Sequence, residues 1–331
     1  MINGPHPESS EGLLYAFALD GKGGAVLLDW AGVRNHGRAT GPLWIHLDRK
    51  HAAAQAWLRE ESGLEPLICD ALLTEETRPR AQHFDAGALV ILRGVNLNPG
   101  SEPDEMISVR MWVDNDRVIT LRSPRLLAIR DVREDLENGR GPKTPGGVVI
   151  GITAHLGARM APVLANLAEH LDGFEVELID SSEVTDIRRD LVSLRRQAIT
   201  LRRYMGPQRD AIGHFSSTPT SWLSDRERAR MRELGDRVTR DLEDLEAMRD
   251  RAAVVQEEVA NRIAEQMNRS MYMLSIITAV FLPLGLLTGL LGINVGGMPG
   301  VENRWAFAVV CVILLGLGGA AFALLRRWRL L

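Results

Sequence analysis

The residues of this 331-residue chain whose types and spacing can do chemistry lie near its C-terminal end. Taking every third or fourth position from Asn268 gives Met271, Ser275, Thr278, Leu282, Gly285 and Gly289, and the series stops about one turn before Asn294. Such a series forms one stripe on one face of a helix, narrower and more polar than the rest of the segment. An asparagine stands at each end of it. An amide carbonyl binds a hydrated cation through its waters without the cost of burying a carboxylate, and several copies around an axis would form a ring of acceptors. Ser, Thr and Gly at this spacing equally suit close packing between helices, which is the bland reading. No Asp, Glu or His falls inside the apolar segments, so an ion passing there keeps much of its water shell, as suits a hydrated divalent cation.

The stripe needs an element to carry it. No charged residue lies between Ser270 and Val301, and residues 271–291 form a helix long enough to cross roughly 30 Å of hydrocarbon. Residues 305–325 make a second span, and the connection 292–304 is too short to be a domain, so the hairpin crosses and returns with both termini on one side. Arg326, Arg327 and Arg329 crowd the exit of the second span and Arg262 and Arg269 the approach to the first, while the connection holds only Glu302 and Arg304. The positive-inside bias puts both ends in the cytoplasm. The first residues lack the basic n-region and long apolar h-region of a cleavable signal. A plain membrane anchor is the alternative reading of a hairpin alone.

Residues 1–145 read as an α/β domain. Short apolar runs at 13–19, 25–28 and 43–47 are bounded by Gly, Pro and Asp and predict strands, followed by helical pattern at 50–61. Residues 88–92, 106–113 and 117–121 form a second strand group, with Asp114-Asn115-Asp116 as a hairpin turn. A Gly/Pro-rich stretch at 138–147 ends this region, and residues 146–270 read as helical. From Ser224, with Glu227 completing a capping box, apolar residues recur at Met231, Leu234, Val238, Leu242, Leu245, Met248, Ala252, Val255, Val259, Ile263 and Met267. One helix of about 100 Å is predicted from 224 to 291, its stripe calling for self-association because one chain supplies too few partners. The preceding helix carries arginine pairs at Arg188-Arg189, Arg195-Arg196 and Arg202-Arg203, a basic face that either pairs with stalk acids or serves an ion path.

Composition excludes other classes. A net charge of −4 argues against nucleic acid as a partner. Cys69 and Cys311 fall in different regions, which leaves no disulfide and no paired thiolate site. His6, His36, His46, His51, His83, His155, His170 and His214 are scattered without metal-ligand spacing. Neither a phosphate loop nor a nucleophile elbow occurs in residues 1–145, and His46 with Asp48 is the nearest approach to a catalytic pair; no enzyme and no cofactor are expected.

A two-span C-terminal hairpin with Gly292-Ile293-Asn294 at the end of the first span and Met298-Pro299 just beyond resembles the CorA superfamily of divalent-cation transport proteins, and the resemblance extends along the whole chain. Most members carry Gly-Met-Asn followed by Met-Pro-Glu; here Ile293 and Gly300 depart. That variant, with Phe281-Leu282-Pro283-Leu284 and Leu287-Thr288-Gly289-Leu290-Leu291, is similar to the ZntB branch, zinc transport proteins of bacterial inner membranes. The resemblance implies a homopentameric funnel in the lipid bilayer: an α/β cytosolic domain, a long helical stalk and two transmembrane helices. Its pore is lined by the first span, with a basic cytosolic tail at 326–331. It further implies that Gly292, Ile293 and Asn294 form the outer pore mouth with the hydrated ion at Asn294. Asn268 would mark the cytosolic pore end, Met271, Leu274 and Leu282 the apolar constrictions, and Arg326, Arg327 and Arg329 a basic collar. Zinc as the transported ion rests on the branch alone. A magnesium, cobalt or nickel channel of the CorA type is the alternative, and direction and proton coupling stay open.

Overall fold

A computed structural model describes residues 11–37, 40–180, 185–292, 300 and 303–327, in two compact units, 1–256 and 257–331. The first unit contains a seven-stranded mixed sheet. Its strands are β1 (Leu13–Leu19), β2 (Ala25–Leu28), β3 (Leu43–Asp48), β4 (Arg80–Phe84), β5 (Gly87–Gly94), β6 (Ile107–Val113) and β7 (Arg117–Arg122), ordered β2-β1-β3-β7-β6-β5-β4. β3 and β7 pair in parallel and the other neighbours are antiparallel. The turn between β6 and β7 is the expected one: the Asp114 carboxylate accepts the backbone N–H groups of Asp116 at 3.0 Å and Arg117 at 2.9 Å, closing an Asx turn.

Helices cover both faces, which is why β6 is buried at every position. On one face, α1 (Trp30–Asn35), α2 (Ala52–Glu60) and α3 (Pro66–Leu73) pack Trp30, Trp57, Leu58 and Leu72 against Ile45, Leu47, Ile91, Trp112, Ile119 and Leu121. On the other lie α4 (Leu127–Glu137), α5 (Pro145–Asp180) and α6 (Thr185–Ser217). That second face is partly polar. Thr120 on β7 receives the Trp44 indole N–H at 2.9 Å, donates to the Ile45 carbonyl at 3.1 Å, and sits 2.8 Å from His46 Nδ1, all three buried. Thr120→Val would strand two buried polar nitrogens, and the expected loss is about 3 kcal/mol of stability, read as a lower urea midpoint of the full chain.

The strands and α2 expected from the sequence are present, but β4, α1, α3 and α4 were not anticipated. β4 has the polar sequence Arg-Ala-Gln-His-Phe and is an edge strand, held by β5 and α6 rather than by any strand pattern of its own. The segment leading into it is held by arginines: Arg110 donates to the carbonyls of Thr74 and Glu75 at 2.9 Å each. Burial, with Arg49 and Arg93 nearby, pushes the Arg110 guanidinium down to about 10.

α7 runs unbroken from Asp225 to Gly292. Its start is the predicted capping box, with Ser224 N–H donating to the Glu227 carboxylate at 2.9 Å and Glu227 N–H to Ser224 Oγ at 3.3 Å. One expectation is corrected here. Met231, Val238, Leu242, Leu245, Met248, Ala252 and Val255 are already buried within the single chain, because α5 and α6 pack beside this part of α7, so this part of the stripe makes no demand for a second copy. Ion pairs tie the same layer: Arg202 to Glu246 at 2.7 Å, and Arg251 to Asp172 at 2.6 Å and Glu175 at 2.7 Å. The second apolar helix, α8, spans Ala306–Arg327.

Candidate functional site

The uncharged end of α7 has two distinct sides. With about 100° per residue, Asn268, Met271, Leu274, Ser275, Thr278, Leu282, Gly285, Gly289 and Gly292 fall within an arc of about 120°. Ile276, Val280, Leu284 and Leu287 are the partly covered positions of this segment, and they centre about 180° away. α8 supplies the cover: Ala306, Val310, Cys311, Leu314, Gly318 and Ala321 are its partly covered positions, and a Cβ added at Gly318 would lie 3.8 Å from Leu284 Cδ1. The candidate stripe therefore points away from the hairpin seam.

Along that stripe Met271 is 65% exposed, Leu274 64% and Leu282 70%, and Asn268 is exposed as well. A Cβ added at Gly285 or Gly289 would meet nothing within 4 Å. Apolar groups so exposed are at rest in lipid or against another helix, not in water. The hydroxyls add acceptor character. Ser275 donates to the Met271 carbonyl at 2.9 Å and Thr278 to the Leu274 carbonyl at 2.8 Å, so each proton is satisfied inside the helix and the oxygen lone pairs face outward. Cation waters could donate to them.

α7 ends at Gly292; Ile293 and Asn294 lie outside the described residues, as does Arg329. Arg326 and Arg327 are exposed in the last turn of α8. Gly300 has φ +89°, in the left-handed region where a side chain is strained, so glutamate would fit this backbone poorly. Among the described residues no three His, Cys, Asp or Glu side chains converge as a metal-binding group. His46 and Asp48 do not form a catalytic pair: His46 turns to Thr120, and Asp48 accepts the Lys50 N–H at 2.9 Å. Of the paired arginines, Arg202 meets the stalk carboxylate of Glu246, which is the paired-face reading, while Arg195 is partly buried and donates to the Gln256 amide oxygen at 3.0 Å.

α5 is also long and apolar enough to cross a membrane, but 44% of its most apolar window is buried within the protein, against 0% for that of α7. α5 is a core helix; the exposed apolar surface lies on α7 and on α8, whose apolar stretch is Ala306–Ala321.

Comparison with known proteins accounts for this division. The profile of the family described as CorA-like Mg2+ transporter protein matches residues 40–327. The chain is similar to the divalent cation transporter CmaX of Pseudomonas aeruginosa, at 43% identity over 330 residues and 96% of each chain. It is 36% identical over 319 residues, 96% of each chain, to the zinc transport protein ZntB of Pectobacterium carotovorum. The solved structure of full-length CmaX superposes with a TM-score of 0.84 at 41% identity, covering 98% of this chain and 99% of that one. With its α/β sheet domain, its unbroken long helix and its two membrane-capable helices, the chain belongs to the CorA-like transporter family.

Proposed function

We propose that this protein moves divalent cations, zinc foremost, across the bacterial inner membrane through a pore lined by α7 from five copies of the chain. The observation that carries the reading is the uncharged stripe on α7, exposed, edged with hydroxyl acceptors and turned away from α8. In the pentamer the stripes would face one another, Asn268 at the cytosolic end and Asn294 in the outer loop 292–304, with Arg326, Arg327 and Arg329 as a collar and both termini cytoplasmic. An amide ring selects an ion with its waters on, and Met271, Leu274 and Leu282 would narrow the path without fixed charge. Zinc as cargo is supported by the ZntB relatives. A broader divalent or magnesium path is favoured by the family description and by the CmaX relative, whose name specifies no metal.

Purified protein in liposomes decides between them. Zn²⁺ flux is expected to exceed Mg²⁺ flux at equal concentration, measured with and without a pH gradient. Equal or greater Mg²⁺ flux would remove zinc from the reading, and a flux indifferent to the pH gradient would remove proton coupling.

A further inference from the structure

Between the sheet and α4, in the first unit, lies a cavity of about 610 Å³ that the ion path does not use. Its lining includes Tyr15 from β1, His46 from β3, Arg122 at the end of β7, Arg125 just after it, and Arg130 and Arg133 from α4. Four arginines face two glutamates here, Glu134 and Glu137, a surplus of two positive charges. The glutamates are taken: Arg130 lies 3.1 Å from Glu134 and Arg133 2.7 Å from Glu137. Among the described residues no carboxylate is bonded to Arg122 or Arg125. Burial, the largest influence, holds the Arg122 guanidinium below its ordinary range.

The floor is unsatisfied as well. His46 is 1% exposed and its Nε2 has no partner, and the buried Tyr15 hydroxyl has none either. The tautomer follows from Thr120, which has one proton and two lone pairs. Donating to Ile45 and accepting from Trp44 leaves one lone pair, which His46 Nδ1–H fills. Burial first, and then Arg122, keep the imidazole neutral by lowering its pKa well below the usual value. His46 Nε2 is then a bare acceptor beside a phenol donor and the guanidinium groups of Arg122, which Asp48 partly offsets, and of exposed Arg125. Buried polar atoms in this state cost free energy unless something bonds them.

We propose that this cavity binds a small organic oxyanion that also carries a hydroxyl group, either a phosphate monoester or a hydroxycarboxylate. The anion meets Arg122, Arg125 and the Tyr15 O–H, and the ligand hydroxyl donates to His46 Nε2. The volume lies in the range of small-molecule sites. Guanidinium forks match both phosphate and carboxylate, so the two ligand sources are separated by measurement.

The test is titration calorimetry on the full chain in detergent, in metal-free buffer, with glycerol 3-phosphate, citrate and, as a control without a hydroxyl, sulfate. One of the two organic anions is expected to give a saturable one-site heat, and whichever does so names the class. Arg122→Gln and Tyr15→Phe should each weaken it by about tenfold or more, while Arg249→Gln, a half-buried stalk residue paired with Asp250, should leave it unchanged. Tyr15→Phe keeps the ring and its packing, so a loss there is not a loss of folding. No saturable heat with either organic anion, binding that survives both variants, or sulfate binding as tightly as the organic anions would overturn the proposal.

Discussion

Asn294→Ala is expected to reduce divalent flux into liposomes by about tenfold or more while the protein still assembles. The substitution removes the amide acceptor that would hold the ion's waters at the outer mouth, and an ion deprived of those contacts meets the apolar path with its hydration uncompensated. In the proposed pentamer each copy would contribute one amide, so one mutation would empty the whole ring. Among the described residues the covered positions of the hairpin include Ile276, Val280, Leu284 and Leu287 on α7 and Ala306 on α8. Native mass spectrometry of the variant should give the same number of chains as the parent. Undiminished flux from an intact assembly would take the ion ring away from Asn294.

Gly87→Ala should destabilise the first unit by about 3 kcal/mol, in the upper range for overpacking a core. Gly87 opens β5 beside the end of β6, where an added Cβ would overlap the Val113 carbonyl oxygen and lie 2.7 Å from Trp112 Cζ2. The first of these is backbone held in the sheet and cannot turn aside. Trp112 is no freer: it is 1% exposed and its indole N–H is bonded to Asp114 at 2.9 Å. The urea midpoint of the variant should fall and amide exchange in β5 and β6 should rise; an unchanged midpoint would mean the sheet edge is softer than its contacts.

The membrane hairpin and the long helix were legible because their signals are local. An uncharged run ends at Arg269 on one side and Glu302 on the other, and a 3.6-residue period needs only the sequence within a few turns. The inner strands were legible for the same reason, as apolar runs between Gly, Pro and Asp. β4 was not, since Arg80, Gln82 and His83 form a strand only because β5 offers an edge and α6 a cover. The self-association argument misjudged residues 231–255 because a stripe shows that a face is buried, not what buries it. The cavity on the sheet was invisible too. Tyr15, His46 and Arg122 come from three strands, and only the β1-β3-β7 order sets them side by side. His46 read as one scattered histidine among eight because its partner Thr120 lies far along the chain.

The abrupt charge boundaries of the hairpin have a mechanical meaning. Sliding α7 toward its C-terminal end by two turns, about 11 Å, would carry Arg269 into hydrocarbon, and the opposite slide would pull Glu302 and Arg304 after it; an arginine deep in the bilayer costs about 3 kcal/mol. The charges at its two ends thus oppose a piston-like slide of the hairpin. Rolling is cheap by comparison. A turn of α7 about its own axis by about 60° moves no charge through lipid, yet it replaces Thr278 and Gly285 with the flank that bears Tyr272 and Leu290, exchanging a wettable surface for a greasy one.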